Sequence, residues 1–227
     1  MKLAIVLALA VFTYHFNEKV TGNYPREKEG TVLVAGSQWR IGLPGTISSA
    51  EIGGEGRDTV AINDRNQTWF PLHSRMPMPI GGLLFSYPMN PEVSKIDVAF
   101  ADGAKTRLAF SYDLTMTIAG EKVRGRVWGE MRISTRGGGE KLPWSPTNIK
   151  TGLDDVDAAF RSQLAQIEGQ VWKSETEVSR RIENGETLHQ VITRTISDLS
   201  PSTAKPEMFH VPAGYREQPP VIGVPGK

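Results

Sequence analysis

Four histidines, His15, His73, His189 and His210, are the natural candidates for acid–base or metal chemistry, and their spacing supports neither. No HxH or HExxH pattern brings two imidazoles onto one face of an element. The chain has no cysteine, so thiolate ligands, disulfides and Cys nucleophiles are excluded. Each histidine reads as a strand or loop residue. There is no Gly-x-Ser-x-Gly elbow, and Gly223 to Lys227 lacks both the spacing and the following helix of a phosphate loop. Asp154, Asp155 and Asp157 approach a carboxylate cluster. They stand where a helix begins, and carboxylates there meet free N–H groups and the helix dipole, so capping is the stronger reading than a metal site. Asn66-Gln67-Thr68 matches a glycosylation acceptor. These residues specify no catalytic group and no cofactor.

Two other features point to binding. The segment Met76-Pro77-Met78-Pro79-Ile80-Gly81-Gly82-Leu83-Leu84-Phe85 is apolar, lacks strand periodicity and is broken by Pro and Gly, so it is no regular inner strand. Methionines give adaptable apolar contact and glycines permit hinging; a mobile flap and a packed core connection are both open. Secondly, Arg124, Arg126, Trp128, Glu130 and Arg132 share the outward face of one strand. An anion or headgroup could bind such a stripe, though a solvated sheet face is the commoner outcome.

The elements that must position these residues are mostly strands. From Arg107 to Ile118 apolar and polar residues alternate without a slip: Leu108, Phe110, Tyr112, Leu114, Met116 and Ile118 face one way. A two-residue turn at Gly120-Glu121 predicts Tyr112 opposite Gly129 and Met116 opposite Gly125, with Phe110 opposite Met131. Large side chains set against glycines indicate a strongly curved sheet. Thr31–Ala35 and Gln38–Leu43 flank Gly36-Ser37, which sets Val34 against Trp39 and Val32 against Ile41. Val60 and Ile62 lead into the turn cluster from Asn63 to Asn66, and Thr68–Phe70 return. Asp97–Ala101 continues the sheet.

Val156, Phe160, Leu164 and Ile167 recur at helical spacing, with Thr151 and Asp154 as a capping box and Gly169 at the exit. One apolar face predicts a helix lying on the sheet. In the last hairpin Trp172, Val178 and Ile182 share even parity with Leu188, Ile192 and Ile196. A two-residue Asn184-Gly185 turn would put these sets on opposite faces. A three-residue connection, with Gly185 left-handed and a bulge, keeps them together.

A chain of 227 residues is long enough for one large domain, and 39% hydrophobic residues fit a globular protein. With 26 basic and 25 acidic residues the formal charge is +1, which gives no global attraction to nucleic acid. Lys2 precedes an apolar run, Leu3 to Leu9, and Ala8-Leu9-Ala10 suits a signal peptidase. The run is too short to span a bilayer. The expected organisation is a signal segment over 1–10, a single domain over 11–215 and a Pro-rich irregular tail over 216–227. The alternative is that residues 3–12 form a buried first strand of a cytoplasmic protein.

The order of several short motifs carries a resemblance. Val20-Thr21-Gly22 is followed by Gly30-Thr31-Val32, Val34, Gly36 and Trp39-Arg40-Ile41. Then come Lys150-Thr151-Gly152, Gly169, and Phe209-His210-Val211-Pro212-Ala213-Gly214-Tyr215. Together these resemble bacterial exported domains of unknown function in the LolA-like (lipoprotein carrier) superfamily. The resemblance implies an α+β, mainly antiparallel fold: a curved, open half-barrel sheet with one or two helices on the concave side. It also implies a periplasmic or envelope location. Family members hold acyl chains of lipids or lipoproteins in the concavity, and related domains sense mislocalised envelope proteins. No lipobox cysteine is present for lipid anchoring. The expected function is non-enzymatic binding of an apolar ligand, with a structural or sensory half-barrel filled by its own side chains as the alternative. Expected ligand contacts are Met76, Met78, Ile80, Leu84, Phe85, Phe110, Tyr112, Leu114 and Met116. Expected partners are a lipid or lipidated protein, in peripheral rather than integral membrane contact, and no nucleic acid. An enzyme would require scattered polar residues to converge in space.

Overall fold

The computed structural model describes residues 11–23, 25–44, 49–54, 57–71, 91–118, 121–137, 142, 144–148, 151, 153–183 and 185–218. Among them, twelve strands form one open sheet: β1 (Val11–Gly22), β2 (Arg26–Ala35), β3 (Gln38–Gly42), β4 (Ala50–Gly54), β5 (Arg57–Asn63), β6 (Thr68–Pro71), β7 (Glu92–Phe100), β8 (Arg107–Ile118), β9 (Glu121–Arg136), β10 (Gln170–Ile182), β11 (Thr187–Ser202) and β12 (Arg216–Glu217). The spatial order is β12-β6-β5-β4-β3-β2-β1-β11-β10-β9-β8-β7. Pairing is antiparallel throughout except β12 on β6. The first and the last long strand are neighbours at the centre, so this seam joins a β2–β6 wing to a β7–β10 wing. The sheet is wider than the half-barrel expected from the sequence, and it takes two residues of the segment expected to be irregular.

Local sequence explains most boundaries. The strict alternation of β8 buries Leu108, Phe110, Tyr112, Leu114 and Met116. Gly36, at φ +56°, makes the tight β2–β3 turn, and Val34 pairs with Trp39 and Val32 with Ile41 as expected. Asn63 Oδ1 accepts from the Asn66 N–H at 3.0 Å and closes the β5–β6 turn. The β8–β9 register differs from expectation by two residues: Ile118 pairs with Glu121 rather than with Val123, so Glu121 belongs to the ladder and not to the turn. Phe110 therefore faces Gly129, Leu114 faces Gly125, Tyr112 faces Val127 and Met116 faces Val123. A two-residue slip preserves the faces, which is why the burial pattern alone could not separate the two registers.

The β10–β11 hairpin keeps even residues opposite even residues, Val178 with Gln190 and Thr176 with Ile192, so its connection is odd as expected. The last pair, Arg181 and Thr187, is separated by five residues rather than three, and the ladder runs without a bulge. Gly185 is not left-handed; its N–H donates to Ile182 O at 2.9 Å, and the turn closes through that bond.

The helix α1 (Asp154–Leu164) lies on the face carrying the even residues of β8. This face is called inner below. The expected Thr151–Asp154 capping box does not form. Leu153 occupies the cap position in extended conformation, and the Thr151 N–H and Oγ1 both donate to Asp157 Oδ1 at 2.7 Å. The helix begins later than the box requires, so the reciprocal carboxylate comes from Asp157. It ends at Leu164, short of Ile167 and of Gly169, whose φ of +79° precedes β10. A short 3-10 turn, Pro206–Phe209, follows β11.

Candidate functional site

Cross-strand pairing places the residues of the inner face in transverse rows. Val20, Ile192, Thr176, Met131 and Leu108 make one row across β1, β11, β10, β9 and β8. Glu18, Arg194, Ser174 and Ile133 make another. The inner face thus holds two apolar clusters with a polar row between them.

The first cluster belongs to the β7–β10 wing. Phe110, Tyr112, Leu114 and Met116, expected as ligand contacts, come together here with Val98, Val127, Met131 and Val178. All four are buried, and α1 covers this wing with Val156 and Phe160, the Phe160 ring meeting Phe110 edge-on at 5.2 Å between centroids. Burial pushes the Tyr112 hydroxyl far above its ordinary range. The other expected contacts, Met76, Met78, Ile80, Leu84 and Phe85, lie outside the described residues, as do the 1–10 segment, Gly120, Asn184, Lys150 and Gly152.

The second cluster belongs to the β1–β3 side: Tyr14, Phe16, Val32, Val34, Trp39 and Ile41. Residues 144–148 cover it. Trp144 packs on Phe16 edge-on at 4.8 Å, and three alternate carbonyls of this segment accept from three strands. Tyr14 Oη donates to Trp144 O at 2.9 Å, Ser174 Oγ to Pro146 O at 2.7 Å, and Arg194 Nη1 to Asn148 O at 3.0 Å. An irregular segment over a sheet must satisfy its backbone acceptors, and these side chains do so. Desolvation drives the Tyr14 hydroxyl far above its usual range. Across the polar row, Arg194 Nε donates to Glu18 Oε2 at 2.7 Å, with Arg26 at 3.5 Å from the other carboxylate oxygen. Burial alone would raise the Glu18 carboxyl, but Arg194, aided by Arg26 and Lys28, holds it below the ordinary value.

These polar residues were not singled out from the sequence. A signal was present: Glu18 shares parity with Tyr14, Phe16 and Val20, and Arg194 with Ile192 and Ile196, so each is a charge written into an apolar stripe. Residues 144–148 carry no periodicity, and only Trp144 hints at burial.

The remaining polar candidates do not converge. His15 is exposed on β1, His189 stands on β11 within 3.2 Å of Ser179 Oγ and 3.8 Å of Glu177, and His210 follows the 3-10 turn. His73 lies outside the described residues. Asp157 is buried as the acceptor for Thr151, while Asp154 and Asp155 are exposed. Among the described residues no group of three or more His, Asp or Glu side chains is placed to hold a metal ion, and no helix is long and apolar enough to cross a membrane. On the outer face the expected stripe is partly paired: Arg107 Nη2 meets Glu130 at 2.6 Å, and Arg132 meets Glu130 at 3.3 Å and Glu175 at 3.6 Å.

No protein-family model matches the chain, and no curated protein matches it in sequence. In structure the chain is similar to the LolA superfamily protein NE2245 from Nitrosomonas europaea, at 12% identity and a TM-score of 0.40, over 89% of this chain and 90% of that one. It is also similar to PNGF-II, at 9% identity and a TM-score of 0.30, over 92% of this chain and 31% of that chain.

Proposed function

We propose that this chain is a non-enzymatic, exported binding protein whose inner face takes up an apolar ligand, the acyl chain of a lipid or of a lipidated partner, in the place now held by α1. The contacts would be Phe110, Tyr112, Leu114 and Met116, joined by Met76, Met78, Ile80, Leu84 and Phe85. The supporting observation is the difference between the two covers. Residues 144–148 are fastened to β1, β10 and β11 by three side-chain hydrogen bonds, of which those from Tyr14 and Ser174 are buried and that from Arg194 is exposed. The cover over β8 meets the sheet through apolar side chains, chiefly Val156, Phe160 and Ile167. Three such side chains contribute roughly 5 to 9 kcal/mol of burial. An acyl chain of about fifteen methylenes gains roughly 12 kcal/mol at about 0.8 kcal/mol each. The exchange is favourable in gross terms by only a few kcal/mol, so uptake is reversible, as a carrier requires. No catalytic group is needed.

The fastened half of the inner face favours a second reading, a structural or sensory module filled by its own residues. Titration with a fluorescent fatty acid separates the two. The proposal expects saturable binding with weak salt dependence, tightened by Phe160→Ala, which loosens the cover, and unchanged by Tyr14→Phe, which loosens the other one. Absence of saturable binding in the parent protein, or a folded Phe160→Ala variant that binds no better, returns the second reading.

A further inference from the structure

A groove of about 910 Å³ crosses the outer face of β7–β10 at the end that carries the β8–β9 and β10–β11 turns. Lys95, Arg124, Arg126 and Arg181 line it against Asp113 and Glu183, a net charge of +2. Register creates this excess. Ser94, Asp113, Arg126 and Arg181 fall in one transverse row, so Arg126 and Arg181 stand directly opposite each other, an arrangement that destabilises a sheet. Asp113 is shared, at 2.9 Å from Lys95 and 3.8 Å from Arg126. Among the described residues no carboxylate comes within 4.0 Å of Arg124 or Arg181, in contrast to the paired Arg107 and Arg132 on the same face. Arg124, Arg126 and Arg181 are exposed, and the half-buried Trp128 borders them.

We propose that this groove docks the protein on an anionic phospholipid surface, with headgroup phosphates between Arg124, Arg126 and Arg181. The cations are carried by β7, β9 and β10, and strands lie about 4.8 Å apart, so the charge extends over roughly 14 Å. That breadth exceeds a single phosphate and matches a plane of headgroups. Trp128 supplies the amphipathic ring that settles at such interfaces. Because the whole chain carries a formal charge of only +1, the attraction is local and fixes an orientation. Leu114 and Ile182 border the groove from the inner side, but Arg124, Arg126 and Arg181 stand on the opposite face of the ladder, so the docking reading stands whether or not the inner face takes a ligand.

Co-sedimentation with vesicles of phosphatidylcholine alone, or with one third phosphatidylglycerol, tests it. Binding should require phosphatidylglycerol and fall with added salt. Arg124→Gln, Arg126→Gln and Arg181→Gln should each lower the partition about fivefold, and the triple variant about a hundredfold. Arg132→Gln, in the paired region, should leave it unchanged. All of these side chains are exposed, so the single variants keep the test sound even if the triple variant folds poorly. Equal binding to neutral vesicles, wild-type partition by the folded single variants, displacement by soluble glycerol phosphate, or equal retention on duplex DNA would each overturn the assignment.

Discussion

Replacing Gly129 with alanine puts a methyl group where the inner face has no room for it. The new Cβ would press on the Glu177 carbonyl oxygen of β10, well inside contact distance, and lie 2.8 Å from Phe110 Cζ. Neither neighbour yields cheaply. The first is backbone in the β9–β10 ladder, and the Phe110 ring is held against Phe160. The expected cost is about 2 to 3 kcal/mol, in the upper part of the overpacking range. For a chain of this size that lowers Tm by roughly 4 to 12 °C. Gly125, on the same strand and face, provides the contrast. A Cβ there finds Arg181 O at 3.4 Å and Leu114 Cβ at 3.9 Å, ordinary contacts. Gly125→Ala should therefore be neutral or up to about 1 kcal/mol stabilising, because it restricts the unfolded chain. Urea midpoints at constant m, followed by aromatic and backbone circular dichroism, measure both. A double-mutant cycle should couple Gly129→Ala to Phe110→Leu and not to Tyr112→Phe. Equal midpoints for the two glycine variants, or coupling to Tyr112, would refute the packing argument.

Further outcomes are expected. Tyr14→Phe leaves the Trp144 carbonyl without its donor and should cost about 1 to 3 kcal/mol by denaturant titration. Glu18→Gln leaves Arg194 partly buried without its charge partner and should cost about 3 kcal/mol. The folded Glu18 carboxyl is held below its ordinary value of 4.5, so its contribution is present at neutral pH and is lost as pH falls below that value; stability measured against pH should show a shallower acid limb in Glu18→Gln. Tyr14 and Tyr112 stay neutral when folded, so stability should decline as pH rises past 10, and spectrophotometric titration should release both phenolates only on unfolding. If residues 1–10 are a signal, mass spectrometry of the product from its own cell should find a mature start near Val11 outside the cytoplasm; intact Met1 on a cytosolic product would exclude export.

The strands were legible because burial on one face imposes a period of two. β8 shows this best, and the parity of Val178, Ile182, Ile192 and Ile196 was enough to require an odd connection in the last hairpin. Register within β8–β9 was less legible, since registers two residues apart bury the same side chains. The helix was readable from Val156 and Phe160, but its start was not. Thr151 is followed by acidic residues at several offsets, and only the backbone decides which one it meets. The cover over Tyr14 and Phe16 was illegible because residues 144–148 are fixed by their carbonyls, and every residue type has a carbonyl. The cationic groove lay half in view. Arg124 and Arg126 could be assigned to the outer face of β9, but the like-charged neighbour, Arg181, comes from β10 through a ladder that no local pattern announces.

The seam between β1 and β11 has a kinetic consequence. Val11 pairs with Ser202 and Gly22 with Gln190, so the contacts that join the two wings span nearly the whole chain. Each wing can assemble from near neighbours in sequence, hairpin by hairpin. The central ladder must await the last strand and bear the closure entropy of the longest loop in the molecule. Until then β1 and β11 each present an unpaired edge, and those edges are templates for association between copies. Refolding should therefore be slow and sensitive to concentration, with the wings protected from hydrogen exchange before the seam.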